Sequence, residues 1–351
     1  MDILKNPYRG DGLNHTVLAE FPFPSTDAQA PRQLWPRFIN ASETPLVDAA
    51  SLADRLGVAS VMVKDERGRM GLGSFKALGA AYVIAHQAVE TGAEDMSSAL
   101  KGRTYVTASA GNHGLSVAFG ASLFGARAVI YLAETVPEGF AERLREKGAE
   151  VVRAGAEYEA SMAAAAKAAD DNGWTLLSDS SWPGYFELPH RLMEGYLAMA
   201  DEAVEQMGEA PSHILLQAGV GGLAGACAAM FRAAWGDGPT IIVVEPEAAP
   251  ALKASIAAGG PVVSEGPVSS MGRLDCKEPS LIALKGLALD ADAFVTISEE
   301  EAEAAMPMLD GAGLATTTSG GAGLAALLAD SGDLGLTAES RVLCILSEEP
   351  E

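Results

Sequence analysis

The sequence predicts an α/β protein built on open, mostly parallel sheets, and three observations predict it. Short β-rich runs alternate with longer Ala-rich amphipathic runs, several β runs are apolar at nearly every position, and glycine-rich turns recur where those runs end. Alternation of this kind means βαβ units. Strands that are apolar throughout belong to parallel sheets covered on both faces. Eight strands would suffice to close a barrel. Glycine turns at the carboxyl ends of strands favour open sheets instead, because ligands of such sheets bind there.

Taken in order, the first forty residues carry Pro7, Pro22, Pro24, Pro31 and Pro36 with little periodicity, and read as an extended arm over the surface. Strands then follow at SVMVK (60–64), TYVTAS (104–109), RAVIYL (127–132), EVVR (150–153), WTLLS (174–178), HILLQ (213–217), TIIVVE (240–245) and RVLCIL (341–346). Helical periodicity marks stretches near 75–91, 113–124, 138–147, 157–171, 188–208, 222–235 and 298–309. No repeat of solenoid length is present, and compositional bias is confined to Ala-rich helices such as SMAAAAKAAD (161–170).

Composition narrows the function classes. With 351 residues, 48% of them hydrophobic and 20% charged, the chain can bury a large core and is not a disordered polymer. Its 24 basic against 47 acidic residues leave a formal charge of −23, a field that repels a phosphate backbone, so no nucleic-acid partner is expected. Cys227, Cys276 and Cys344 are odd in number and in no metal-ligand spacing, which points to neither a disulfide framework nor a metal site. MDILKNPYRGDG has no apolar segment behind a basic start, and no run approaches the roughly 18 apolar residues of a membrane helix. The expectation is a cytoplasmic protein with no membrane partner.

Three clusters carry chemistry. In the first, Gly73, Ser74, Phe75 and Lys76 follow the strand at 60–64 and a turn rich in charge and glycine. An ammonium group at a helix start opposes the local partial positive charge, so its neutral form, a nucleophile for carbonyls, is favoured. A solvent-facing lysine is the other reading. In the second, Ser109, Ala110, Gly111, Asn112, His113 and Gly114 join a strand to a helix. Glycine admits close backbone approach there, the helix start offers amides to an anion or hydroxyl, and Asn112 adds a directed donor. His113 is either a general base or a brace for the loop. In the third, Gly219, Val220, Gly221, Gly222 and Leu223 form a glycine loop between strand and helix, an arrangement that holds phosphate. A dinucleotide site is the rival, with Glu245 as the ribose-binding acid at the end of the next strand.

The set resembles the fold-type II family of pyridoxal-phosphate enzymes, from about Thr44 to Ser347, and within it the diaminopropionate ammonia-lyases. The segments VKDERGRMGLGSFKALGAAY (63–82), GNHG (111–114), AVIYL (128–132), LSDSSWPGY (177–185), GYLAMADEAVEQM (195–207), HILLQAGVGGLAG (213–225), VEPE (244–247) and LDCKEP (274–279) carry the resemblance.

It implies the two-lobed architecture of the tryptophan synthase β type, with the cofactor in the cleft. A smaller lobe of residues 79–187 is expected on the substrate side, and a larger cofactor-binding lobe is built from 1–78 and 188–351. It also implies a homodimer. By resemblance Lys76 forms the Schiff base with pyridoxal phosphate, positioned by Phe75 and Ser74. Asn112 bonds the 3-hydroxyl, residues 219–223 hold the phosphate, and Ser347 faces the pyridine nitrogen. Asp179 is the acid/base partner of Lys76, or else a loop acid capping its own turn. Ser109, Ala110, Gly111, His113, Tyr185 and Arg273 are expected on the substrate side, Tyr185 and Trp182 alternatively serving only in packing.

The expected activity is α,β-elimination from a small β-substituted amino acid, foremost L-2,3-diaminopropionate, giving pyruvate and ammonia. A serine, threonine or 3-hydroxyaspartate dehydratase is the alternative within this chemistry, and a non-catalytic ligand-binding relative lies outside it.

Three departures bear on substrate. Ala110 stands where the family has an acid serving the D-enantiomer, so the L-isomer is expected. Thr318 replaces the usual acid before Ser-Gly. Arg273, Asp275 and Lys277 replace smaller, uncharged residues. An inward Arg273 would suit a second substrate carboxylate, whereas pairing with Asp275 would leave it a surface residue.

Overall fold

A computed structural model describes residues 1–39 and 42–350. Eleven strands form two sheets among these residues. They are β1 (Asp2–Lys5), β2 (Leu46–Asp48), β3 (Ser60–Asp65), β4 (Thr104–Ala108), β5 (Arg127–Leu132), β6 (Glu150–Arg153), β7 (Thr175–Leu176), β8 (His213–Gln217), β9 (Thr240–Pro246), β10 (Ala293–Ile297) and β11 (Arg341–Leu346). The larger sheet runs β1-β10-β9-β8-β11-β3-β2 and the smaller β6-β5-β4-β7. Every pair is parallel except the two edge pairs of the larger sheet, β1 on β10 and β2 on β3. β4 is buried at all five positions and β9 at all but its first, as strands with helices on both faces must be. Neither sheet closes, so the open-sheet expectation holds and the barrel is excluded.

The helix expected near 75–91 is two elements: a 3₁₀ turn over Phe75–Leu78, then an α-helix over Ala80–Glu90 that starts anew after Gly79. The cause is close packing. A Cβ on Gly79 would stand 2.8 Å from the Tyr196 ring, and one on Gly195 would stand 2.1 Å from the Leu78 carbonyl oxygen. The helix Glu187–Met207 thus presses its backbone onto the turn that carries Lys76.

The amino-terminal arm is less extended than its prolines suggest. Its first residues form β1, in register Asp2 opposite Thr296. Asn6 Nδ2 donates to the carbonyls of Ala288 (2.9 Å) and Ala291 (2.6 Å) at the end of the helix Leu281–Asp290. Residues 16–20 and 29–34 are helical, and residue 40, the arm's last, lies outside the described residues. The helix Leu281–Asp290 escapes the periodicity test because it is apolar all round and almost wholly buried. β10 and the helices Ala50–Leu56, Ala251–Ala258 and Ala322–Leu328 are further elements not singled out from the sequence, each short. Among the described residues no helix is long and apolar enough to cross a membrane.

Candidate active site

The carboxyl ends of the central strands of both sheets converge on one cleft. β3 leads into the turn with Lys76, β8 into residues 219–223, and β11 into Ser347. From the smaller sheet β4 leads into residues 109–113 and β7 toward Asp179. Lys76 Nζ lies 2.5 Å from Asp179 Oδ2, joining the two sheets across the cleft. Burial works against the charge on both groups, but each stabilises the other's ionised form. The Lys76 pKa is therefore raised and that of Asp179 lowered. This corrects the expectation of a readily neutral lysine: a 3₁₀ turn of four residues has little dipole to oppose an ammonium, and a contacting carboxylate outweighs it.

The loop after β4 is organised by Ser109, whose Oγ accepts from the amides of Gly111 (3.3 Å) and Gly114 (3.2 Å), the latter in the first turn of the helix Asn112–Leu123. Ala110 offers only a methyl group, and a Cβ added to Gly111 would meet nothing within 4 Å. His113 braces the loop: its Nε2 lies 2.8 Å from the Leu177 carbonyl oxygen, two residues before Asp179. Burial lowers its pKa, so the ring is neutral and donates through Nε2, leaving buried Nδ1 without a partner among the described residues. Tyr185 is likewise a brace, accepting from the Ser178 amide (2.9 Å) and donating to the Leu176 carbonyl (3.0 Å) while it stacks on Trp182.

Residues 219–222 lead into the buried helix Gly222–Trp235, whose first-turn amides have no intrahelical acceptor. Two glycines there are required by close approach. A Cβ on Gly219 would come within 3.0 Å of Cys276 Sγ and 3.1 Å of Leu274 Cα, and Gly221 has φ +97° with Ala283 and Leu252 side chains 3.0 Å from any added Cβ. Val220 accepts from the Ser280 amide, and Leu223 is buried behind the loop. Glu245 does not serve a ribose. It is fully buried, and its two carboxylate oxygens accept from the Leu252 and Lys253 amides, so the NAD reading fails on geometry.

Ser347 is buried beside Lys76, its carbonyl accepting from the Phe75 amide at 3.0 Å. The next residue, Glu348, went unremarked in the sequence because it reads as part of an acidic tail. It is 4% exposed. Its carboxylate accepts from Asn112 Nδ2 at 2.6 Å and from Thr317 Oγ1, and pairs with Arg273 Nε at 2.8 Å. Arg273 therefore turns toward the cleft to pair with Glu348, while Asp275 pairs with Lys277 at 2.6 Å. Thr318 Oγ1 donates to the Ser270 carbonyl at 3.3 Å. Tyr158 and Tyr196 are the other groups the sequence concealed. The charges of Lys76 and Asp179 act on both phenols, although one opens a helix and the other sits inside one.

Whether these residues suit a phosphorylated aldehyde cofactor can be judged from the cleft itself. A lysine beside a carboxylate, a glycine-walled helix start, an amide side chain, and buried polar atoms without partners on His113 and Tyr196 are features an apolar core would not keep. The sequence profile of the pyridoxal-phosphate-dependent enzymes matches residues 39–348. The chain belongs to that family. It is 36% identical over 265 residues to the diaminopropionate ammonia-lyase of Salmonella typhimurium, an alignment covering 70% of this chain and 66% of that enzyme. Against the Escherichia coli diaminopropionate ammonia-lyase the identity is 33% over 301 residues, 82% of this chain and 76% of the other. The crystal structure of the E. coli enzyme with an aminoacrylate-pyridoxal phosphate azomethine intermediate superposes with a TM-score of 0.87 at 30% identity, covering 99% of this chain and 93% of that one. The fold is thus the two-lobed fold type II, and the cofactor is pyridoxal phosphate.

Proposed function

We propose that this enzyme eliminates ammonia from L-2,3-diaminopropionate, giving pyruvate and a second ammonia on hydrolysis. The observation that carries the reading is the contact of Lys76 with Asp179 across the cleft. Pyridoxal phosphate supplies an electron sink for charge released at the substrate α-carbon. Lys76 would bear the cofactor, and its freed amine would take up the substrate's α-proton. Asp179 holds the lysine's charge and serves as the acid/base group at the β-substituent. Asn112 would hold the cofactor's phenolic oxygen, the amides of 219–223 its phosphate and Ser347 its ring nitrogen, with Phe75 beside it.

Charge supports an amino rather than a carboxyl substituent on the β-carbon. Asp179, whose counter-charge is Lys76, is left as a carboxylate for a β-ammonium group once that lysine carries the cofactor, while Arg273 is already paired with Glu348 and is a poor receptor for a second substrate carboxylate. Ala110 cannot abstract a proton, which restricts turnover to the L-isomer. The reading has the enzyme in the cytoplasm as a homodimer, with residues 79–187 as the smaller lobe on the substrate side.

The test is release of keto acid and ammonia from L- and D-diaminopropionate, L-serine, L-threonine and the 3-hydroxyaspartates. Turnover of L-diaminopropionate above the rest is expected, and Ala110→Asp should add activity on the D-isomer. Preference for a hydroxyaspartate would overturn the charge argument, and a protein that gains no visible absorbance with pyridoxal phosphate would be a non-catalytic relative.

A further inference from the structure

The segment GYLAMADEAVEQM (195–207) matches the ammonia-lyase pattern, yet the roles above leave it idle. Gly195 is explained by its approach to Leu78, and Glu202 by a buried ionic cluster. Tyr196 is not. Its ring is 1% exposed and packs on Phe75 with centroids 4.9 Å apart, but its hydroxyl has no hydrogen-bond partner among the described residues. Phenylalanine would pack the same way without stranding a polar atom in the core. The phenol is wedged between two glycines: a Cβ on Gly79 would stand 2.8 Å from its oxygen, and one on Gly222 would stand 3.7 Å from the ring's other edge. The hydroxyl thus lies between the turn that carries Lys76 and the first residue of the glycine-loop helix. Burial pushes the phenol up to about 12, with the Lys76 charge working against that rise.

We propose that Tyr196 is a positioning residue for Lys76: its hydroxyl accepts from Nζ when the lysine is charged and donates to Nζ when it is neutral. The lysine freed from the cofactor then stays aimed at the substrate instead of collapsing onto Asp179. No bond is made or broken by the phenol. The inference rests on Lys76 being the cofactor-bearing lysine.

The experiment compares wild type, Tyr196→Phe and Tyr196→Met with and without pyridoxal phosphate. Without cofactor, Tyr196→Phe should stay folded with a Tm at or slightly below that of wild type, because the hydrogen bond to the charged lysine is lost while the ring packing is kept. With cofactor, the midpoint of the pH-dependent change in visible absorbance should move by about one pH unit, since one hydrogen bond to the protonated lysine nitrogen is lost. The kcat should fall about tenfold with KM held within about twofold. An unchanged midpoint and kcat would overturn the proposal. So would a change in cofactor affinity alone, which would make the phenol a phosphate contact, or unfolding of both variants, which would make it structural. If wild type itself shows no lysine-bound band, the reading of Lys76 fails, a result distinct from any difference between the variants.

Discussion

Two groups of charges lie close together in this molecule and behave in opposite ways. Lys64, Glu66, Arg69 and Glu202 form a neutral cluster, each at most 5% exposed. Lys64 Nζ uses all three protons, on Glu202 (2.7 Å), Thr44 O (2.7 Å) and Gln206 (2.9 Å). Arg69 reaches both carboxylates, with Nε on Glu66 at 2.8 Å and a terminal nitrogen on Glu202 at 2.7 Å. Twelve residues after Lys64, Lys76 has one carboxylate partner and keeps the company of polar atoms with none. The first cluster is complete and dry, and has no capacity to bind anything. The second is incomplete, and its open hydrogen-bonding capacity is what a cofactor and substrate would fill. Lys64, Glu66 and Arg69 lie on the same stretch of chain as Lys76, so the scaffold cluster anchors the segment that leads to that lysine.

The largest effect that separates them is on activity. Lys76→Ala should abolish the visible band of the lysine-bound cofactor and lower kcat by more than about a thousandfold, while the fold persists by circular dichroism. Asp179→Asn should keep the band and lose about a hundredfold or more in kcat, measured by keto-acid release. The scaffold cluster should respond in stability instead: Glu202→Ala leaves Lys64 and Arg69 short of a buried counter-charge and should cost about 3–5 kcal/mol in denaturant unfolding. Activity of the folded fraction should be nearly unchanged. If Glu202→Ala instead silenced a fully folded enzyme, the division between the two clusters would collapse.

The smallest effect is on the pH dependence of stability without cofactor. Asp179 is depressed in the folded protein, so its contribution is present above the ordinary carboxylate value, about 3.9, and is lost as pH falls. Lys76 is raised, so its contribution is present below the ordinary lysine value, about 10.4, and is lost as pH rises beyond it. Asp179→Asn should flatten both flanks of a Tm profile, and an unaltered profile would mean that the pair is not formed in solution.

The legibility of the site follows the range of the signal. Lys76, Asn112 and residues 219–223 are readable because each sits at the junction of a strand and a helix, where local sequence dictates local geometry. Glu348 and Tyr196 are not. One looks like a tail acid and the other like a helix-core aromatic, and only packing shows that the first is 2.6 Å from Asn112 and that the second has an unpartnered hydroxyl beside the Lys76 turn. Arg273 illustrates the same limit. The nearest acid in sequence is Asp275, but the acid in space is Glu348, 75 positions away.

By itself, then, the sequence determined the alternation of strand and helix, the parallel sheets, the glycine loops and the Gly-Ser-Phe-Lys motif at 73–76. These are consequences of periodicity, backbone freedom and short motifs, which act over a few residues. Tertiary structure alone decided the protonation of Lys76, the turning of Arg273 toward the cleft, the employment of Glu245 as a helix cap and the isolation of the Tyr196 hydroxyl. Each of these depends on which charge or carbonyl a distant segment brings within a few ångströms, and electrostatic and hydrogen-bond energies are set by that distance and by the water it excludes.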